Sequence, residues 1–173
     1  MKTVKIILIF LIVLTILFFT TGLVVKENSH SVSITIDKPL DETFLLFNDL
    51  KMIPSWNPEY DSIEIVDLKA GFTGSEYRIK IKHNEQEVFI QEKILAYVKN
   101  EKVTLFFDRE GLIETDDFSF SSDGSKTIVK LNSNYQAKTY IIGCVLPYFK
   151  YKFKQIDNET LFNFKKFVEN TSF

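Results

Sequence analysis

With one cysteine, two histidines, one tryptophan, six glycines and four prolines in 173 residues, the chain is poor in the residues that several kinds of chemistry need. Cys144 has no second cysteine, which excludes an intrachain disulfide and a thiolate metal site. His30 and His83 belong to no HExxH pair and to no carboxylate-spaced ligand set, so no metal and no metal cofactor is expected. There is no GxSxG, no phosphate-binding loop and no dinucleotide fingerprint. Gly71 and Gly74 make only a GxxG, which serves an ordinary hairpin as well as a binding loop. Positive charge is also short. The formal net charge is −2, and without the first 25 residues it is −4, with 19 bases against 23 acids. A phosphate-driven nucleic-acid binder shows a basic face, so nucleic acid is not an expected partner.

Apolar residues are abundant, and they are unevenly placed. Ile6 to Val25 is a run of twenty residues without a charge, broken only by three threonines and a glycine. As a helix rising 1.5 Å per residue it spans a bilayer core of about 30 Å. Its apolar part is longer than the roughly 7 to 15 residues of a secretory signal, and no small-x-small cleavage site follows it. Residues 1–25 are therefore expected to be a single-pass membrane anchor, with residues 6–25 in the lipid. Lys2 and Lys5 precede the run, while Lys26 is followed at once by Glu27, which favours a cytoplasmic N-terminus and an extracytoplasmic domain. Lys26 to Ser31 reads as a polar linker. The remaining residues, 32–173, have the length of one domain with a core of its own.

The domain opens with period-two alternation of Val32, Ile34 and Ile36, then breaks at Asp37-Lys38-Pro39 into a helical pattern. Pro39 suits a first helical turn, and Asp41 and Glu42 sit at the positive end of the helix dipole. Phe44, Leu45 and Phe47 form the expected buried side; Asp49 and Pro54 end the helix. Ile53, Trp56 and Pro58 make an apolar corner with Trp56 as its plug. Six alternating segments follow, with apolar positions at Ile63/Ile65, Tyr77/Ile79/Ile81, Val88/Ile90/Ile94, Val103/Leu105/Phe107, Phe118/Phe120 and Val129/Leu131/Tyr135. Turns are expected at Ala70 to Gly74, His83-Asn84-Glu85, Lys99-Asn100-Glu101, Arg109-Glu110-Gly111 and Ser122-Asp123-Gly124. Such a sheet, wet on one face, needs a cover. Val145, Phe149, Phe153, Ile156, Phe164 and Phe167 recur at helical spacing and predict one long amphipathic helix, with Lys150, Lys152, Lys154, Asp157, Glu159 and Lys165 on its other faces. Pro147 must lie in its first turn or kink it.

A proline opening the first helix, an aspartate closing it and a tryptophan seven residues beyond, here Pro39, Asp49 and Trp56 with Phe44 and Pro58, resemble the START and polyketide-cyclase superfamily, SRPBCC. The resemblance covers residues 31 to 170. It implies an α+β helix-grip fold in the order β-α-α-β-β-β-β-β-β-α, a curved antiparallel seven-stranded sheet wrapped around a long C-terminal helix. It also implies a cavity between sheet and helix, lined by Tyr77, Ile79, Ile90, Phe107, Phe118, Phe149 and Phe153, with Glu92 in phase among them. In that family a glycine-rich loop at the position of Gly71 and Gly74 edges the cavity.

Seventeen phenylalanines and seven tyrosines suit an apolar pocket or, equally, a filled core. Three functions stand against one another. The first is noncovalent binding of a hydrophobic small molecule or lipid near the membrane. The second is a cyclase- or hydrolase-like enzyme using Glu92 with Tyr77, since a carboxyl in an apolar pocket has its pKa raised toward the range useful for acid-base work. The third is an envelope or stress protein acting by protein contact. Binding is the expected one, without assigned catalytic residues. Glu114 and Asp116 share the phase of Phe118 and Phe120, but the nearby Gly111 turn is expected to release them into water.

Overall fold

The structure is a computed structural model that describes residues 2–25, 27–83 and 86–171. The chain starts with helix α1, Lys2–Val24, whose 23 residues reach about 35 Å. By length and composition this helix can cross a membrane. Strand β1, Glu27–Ile36, follows almost at once. Residues 27–31, expected as a linker, are thus half of a strand. Their backbone groups pair with residues Asn132 to Gln136, and Asn28 is buried. The polar composition misled because it belongs to an edge strand with polar functions on its inner side.

Two short helices, α2 at Leu40–Phe47 and α3 at Ile53–Trp56, carry the chain from one edge of the sheet to the other. Pro39 caps α2, and Thr43, Phe44, Leu46 and Phe47 are its buried residues, while Leu45 faces out. Pro54 does not end α2. It stands in the first turn of α3, where its missing N–H costs nothing. Six antiparallel strands follow: β2 (Tyr60–Asp67), β3 (Glu76–His83), β4 (Gln86–Val98), β5 (Lys102–Arg109), β6 (Leu112–Asp123) and β7 (Lys126–Ala137). The seven-stranded sheet has the order β1-β7-β6-β5-β4-β3-β2. Of the expected turns, the one at His83-Asn84-Glu85 has Asn84 and Glu85 outside the described residues.

The C-terminal cover is built from three pieces. Helix α4 (Tyr140–Val145), capped by the Thr139 side chain, leads into a 3-10 turn at Leu146–Phe149 that contains Pro147, and α5 runs from Lys150–Asn170. The single helix expected from Val145 onward is therefore divided by the proline. The buried line of α5 is Asp157, Leu161, Phe164 and Val168, at spacings of four, three and four. In the centre Phe47 meets Trp56, Phe118, Phe120 and Phe164 with ring centroids 4.7 to 5.8 Å apart. Contacts of this kind contribute on the order of 1 kcal/mol each beyond the burial of area.

The C-terminal end of α1 is packed on α4. Thr21 Oγ1 donates to the Cys144 carbonyl at 3.1 Å, the Tyr140 hydroxyl donates to the Phe19 carbonyl, and Phe18 stacks on Tyr148. Gly22 allows this approach: a Cβ there would stand 2.5 Å from the Cys144 sulfur. Cys144 is completely buried as a result.

Candidate functional site

A cavity of about 260 Å³ lies between the concave face of the sheet, α3 and α5. One end is apolar, walled by Phe47, Ile53, Trp56, Val103, Phe118 and Leu131. Phe72, from the loop between β2 and β3, also lines it; it has a φ of 66° and rests on Tyr97 with ring centroids 4.8 Å apart. Gly71 and Gly74, both with positive φ, set the course of that loop, since their conformation carries no Cβ penalty in glycine.

The other end is polar, and the strand register builds it. Tyr77, Glu92, Phe107, Glu114 and Tyr135 are successive cross-strand partners from β3 to β7. Two residues further along β6, Asp116 stands opposite Ser133, which in turn stands opposite His30. Period-two alternation puts Glu114 and Asp116 on the same face as Phe118 and Phe120. They are only 6% and 7% exposed. The expected release into water does not occur, because β6 begins at Leu112 and keeps an unbroken register through both acids.

Asp157 closes this end from α5. Its carboxylate accepts from the Ser133 hydroxyl at 2.6 Å and from the Tyr135 hydroxyl at 3.4 Å, and it pairs with His30 Nε2 at 2.7 Å. Read from its charge, Asp157 belongs on the outer side of the helix; it is 5% exposed. Its place four residues before Leu161 was the signal for an inward position. His30, assigned to the linker by sequence, has a side chain only 3% exposed. Arg109, read as part of a turn, is the last residue of β5, and its Nε donates to Glu114 Oε2 at 2.5 Å.

Burial governs the protonation of these groups. It pushes the Glu92 carboxyl up to about 7, against the pull of the Arg109 guanidinium. Glu114 is raised by burial and held back by Arg109. Asp116 is raised well above the usual carboxylate range, by burial first and then by the charges of Glu114 and Asp157. The hydroxyl of the buried Tyr60 is also raised, by burial first and next by Glu92. A carboxyl that is neutral near pH 7 can donate a hydrogen bond, and on ionising it can accept a proton from a bound molecule.

Of the residues expected at the site, Tyr77, Glu92, Phe107 and Phe118 border the cavity. Ile79 and Ile90 are buried next to it and pack with Tyr60 and Phe107. Phe149 and Phe153 lie elsewhere. Phe149 is 47% exposed on the 3-10 turn, and Phe153 stacks on Tyr135 at 4.2 Å. Trp56 is both a plug, stacked on Phe47 and tilted against Phe164, and a part of the wall. Among the described residues no group of three or more histidines, cysteines or carboxylates is placed to hold a metal ion.

The sequence matches no protein-family profile and no curated protein. Solved structures do match in shape. The structure of Ara h 8.0201 aligns with a TM-score of 0.67 at 14% identity, covering 84% of this chain and 99% of its own. The Zhui aromatase/cyclase from Streptomyces sp. R1128 aligns at 0.69 and 9% identity, over 83% of this chain and 94% of its own. Norcoclaurine synthase from Thalictrum flavum, in complex with dopamine and hydroxybenzaldehyde, aligns at 0.61 and 13% identity, over 89% and 94%. With a seven-stranded antiparallel sheet closed by a long C-terminal helix, the chain has the helix-grip fold that these solved structures share.

Proposed function

We propose that the chain is a membrane-anchored protein that binds a small apolar molecule in the cavity between sheet and helix. The cavity carries this reading. Protein interiors are close-packed, with few voids larger than a water molecule, so a core merely filled with aromatic side chains would leave no space of about 260 Å³. The volume lies just under the roughly 300 to 1,000 Å³ of common ligand sites, which suits one compact molecule better than a two-chain lipid. Norcoclaurine synthase, a structural likeness, is seen with small aromatic molecules, and this supports the reading by analogy of fold.

In this reading α1 is the anchor, ending at residue 25, and the binding domain starts at Glu27. Its N-terminus is cytoplasmic and the domain extracytoplasmic, in keeping with Lys2 and Lys5. Tyr140 and Tyr148 are exposed where α1 meets the domain, and tyrosines are at home at the headgroup level. The test is native mass spectrometry of the full chain extracted in mild detergent. A bound small molecule is expected, and it should be lost in Leu105→Trp, which puts bulk into the cavity wall. A chain without adduct, or an adduct indifferent to Leu105→Trp, would overturn the reading.

One observation favours an enzyme instead: Glu92, at about 7, faces Tyr77 across β3 and β4 at the edge of the same cavity. That pair is suited to general acid-base work on a bound molecule. Turnover of an identified ligand that disappears in Glu92→Gln while binding persists would decide for the enzyme.

A further inference from the structure

The polar end of the cavity has a marked excess of acids. Glu92, Glu114, Asp116, Asp157 and the exposed Glu59 border it, and among the described residues Arg109 is the one lysine or arginine that does so. Arg109 is engaged by Glu114, and Asp157 by His30 and Ser133. Asp116 differs. It is 7% exposed, borders the cavity, and its Oδ1 meets no hydrogen-bond donor. An unsatisfied buried acceptor is costly, so a donor arriving through the cavity completes it. A water molecule or a hydroxyl would serve that single oxygen; the surrounding charge discriminates further. A carboxylate or phosphate head would have to sit among several acids with Arg109 already paired, whereas an ammonium can balance the charge of these carboxyls as they give up their protons. The described residues offer no cluster for a metal ion, which leaves an organic cation.

We propose that the cavity selects a small amphiphile with one ammonium group, its nitrogen held at Asp116 with Glu92 as a second acid at the same end, and its hydrocarbon packed on Phe47, Trp56 and Phe118. This deepens the binding function proposed above and rests on it. Uptake of the cation is coupled to proton release. Burial pushes Glu92 up to about 7 and raises Asp116 well above the usual carboxylate range, so both give up protons as the ammonium enters. The groups that face them are Arg109 from β5, Glu114 from β6, Tyr135 from β7, and Asp157 from α5 with His30 from β1 behind it. Tyr77 and Tyr60 complete the ring from β3 and β2. Among these the bases are Arg109 and His30, each already paired with an acid.

The test uses the full chain in dodecylmaltoside micelles and three probes of one shape: 4-phenylbutylamine, 4-phenylbutan-1-ol and 4-phenylbutyrate. Trp56, the single tryptophan, stands in the cavity wall and reports binding by its fluorescence. The amine should bind at least about tenfold more tightly than the alcohol, as a charge-assisted hydrogen bond implies, and the butyrate more weakly than either. Amine affinity should rise between about pH 6 and about pH 8, where Glu92 ionises and an alkylamine stays protonated. Asp116→Asn should remove most of the preference for amine over alcohol. Glu92→Gln should reduce it and flatten the pH profile, which keeps the test open if the first variant does not fold. An alcohol equal to the amine, a butyrate that outbinds both, or a preference intact in both variants would overturn the ammonium inference and leave the apolar pocket standing. A Trp56 signal that answers none of the probes would overturn the pocket itself.

Discussion

Glu92 is ionised in an unfolded chain at a pH where burial keeps it neutral in the native one. Its native value of about 7 lies above the ordinary 4.5, so the folded state binds the proton more tightly. Its contribution to stability is therefore full below about pH 4.5 and is lost as pH rises through about 7. At about 1.4 kcal/mol per pKa unit, the loss is on the order of 3 to 4 kcal/mol. Glu114 and Asp116, raised in the same direction, add to the trend. The midpoint of thermal unfolding should thus fall between about pH 5 and about pH 8, and Glu92→Gln should make the fall shallower. A wild-type midpoint that rises with pH over that window would show that these acids are ionised in the native state. Trp56→Ala should cost about 3 to 5 kcal/mol in denaturant unfolding, because the ring is 6% exposed and packed on Phe47 and Phe164. A cost under about 1 kcal/mol would mean that the ring carries little of the packing. At this scale the inward phase of Tyr77, Glu92, Phe107 and Phe118 could be read from alternation. The burial of His30 could not, since it is polar and is kept inside by Asp157, more than a hundred residues away in sequence; for Asp157 only the spacing to Leu161 pointed inward, against its charge.

At the scale of elements, the join between α1 and α4 is the least ordinary. Close approach depends on Gly22, and Cys144 is shielded as a consequence. Gly22→Leu should push the two helices apart and expose the thiol. Maleimide labelling of the full chain in detergent is then expected to be faster than for wild type, with Ser or Ala at position 144 as the unlabelled control. Equal labelling rates would mean that α1 does not cover Cys144 in solution. The strands were legible almost throughout, because one wet face and one apolar face leave a period of two that the turn residues punctuate. The C-terminal helix was legible as an amphipathic element but not as three pieces. A proline in a periodic pattern is compatible with a first turn, a kink or a break, and here packing of the 3-10 turn beside β1 accompanies the break.

For the whole molecule, the proposed membrane attachment can be tested apart from the proposed ligand binding. The full chain is expected in the membrane fraction after a high-salt and carbonate wash, and a chain that starts at Glu27 in the soluble fraction. A full-length chain that is soluble with its N-terminus intact would contradict the anchor. The soluble form also loses the cover over Cys144 and the apolar side of α4, so it should show a more reactive thiol than the anchored form.

By itself the sequence determined the apolar N-terminal helix, the seven alternating strands, the sheet with a helical cover and the shortage of groups for metal or thiol chemistry. These depend on local composition and on periods of two and about 3.6, which each segment carries within itself. The tertiary structure alone decided that β1 begins at Glu27, that α1 rests on α4, and that Phe149 lies outside the cavity. It also decided that Glu92, Glu114, Asp116 and Asp157 gather at one end of the cavity around a single arginine. That grouping comes from the register of β4 to β7 and from α5 crossing above them. Which residues oppose each other across strands is a property of the paired sheet, and no segment contains it alone.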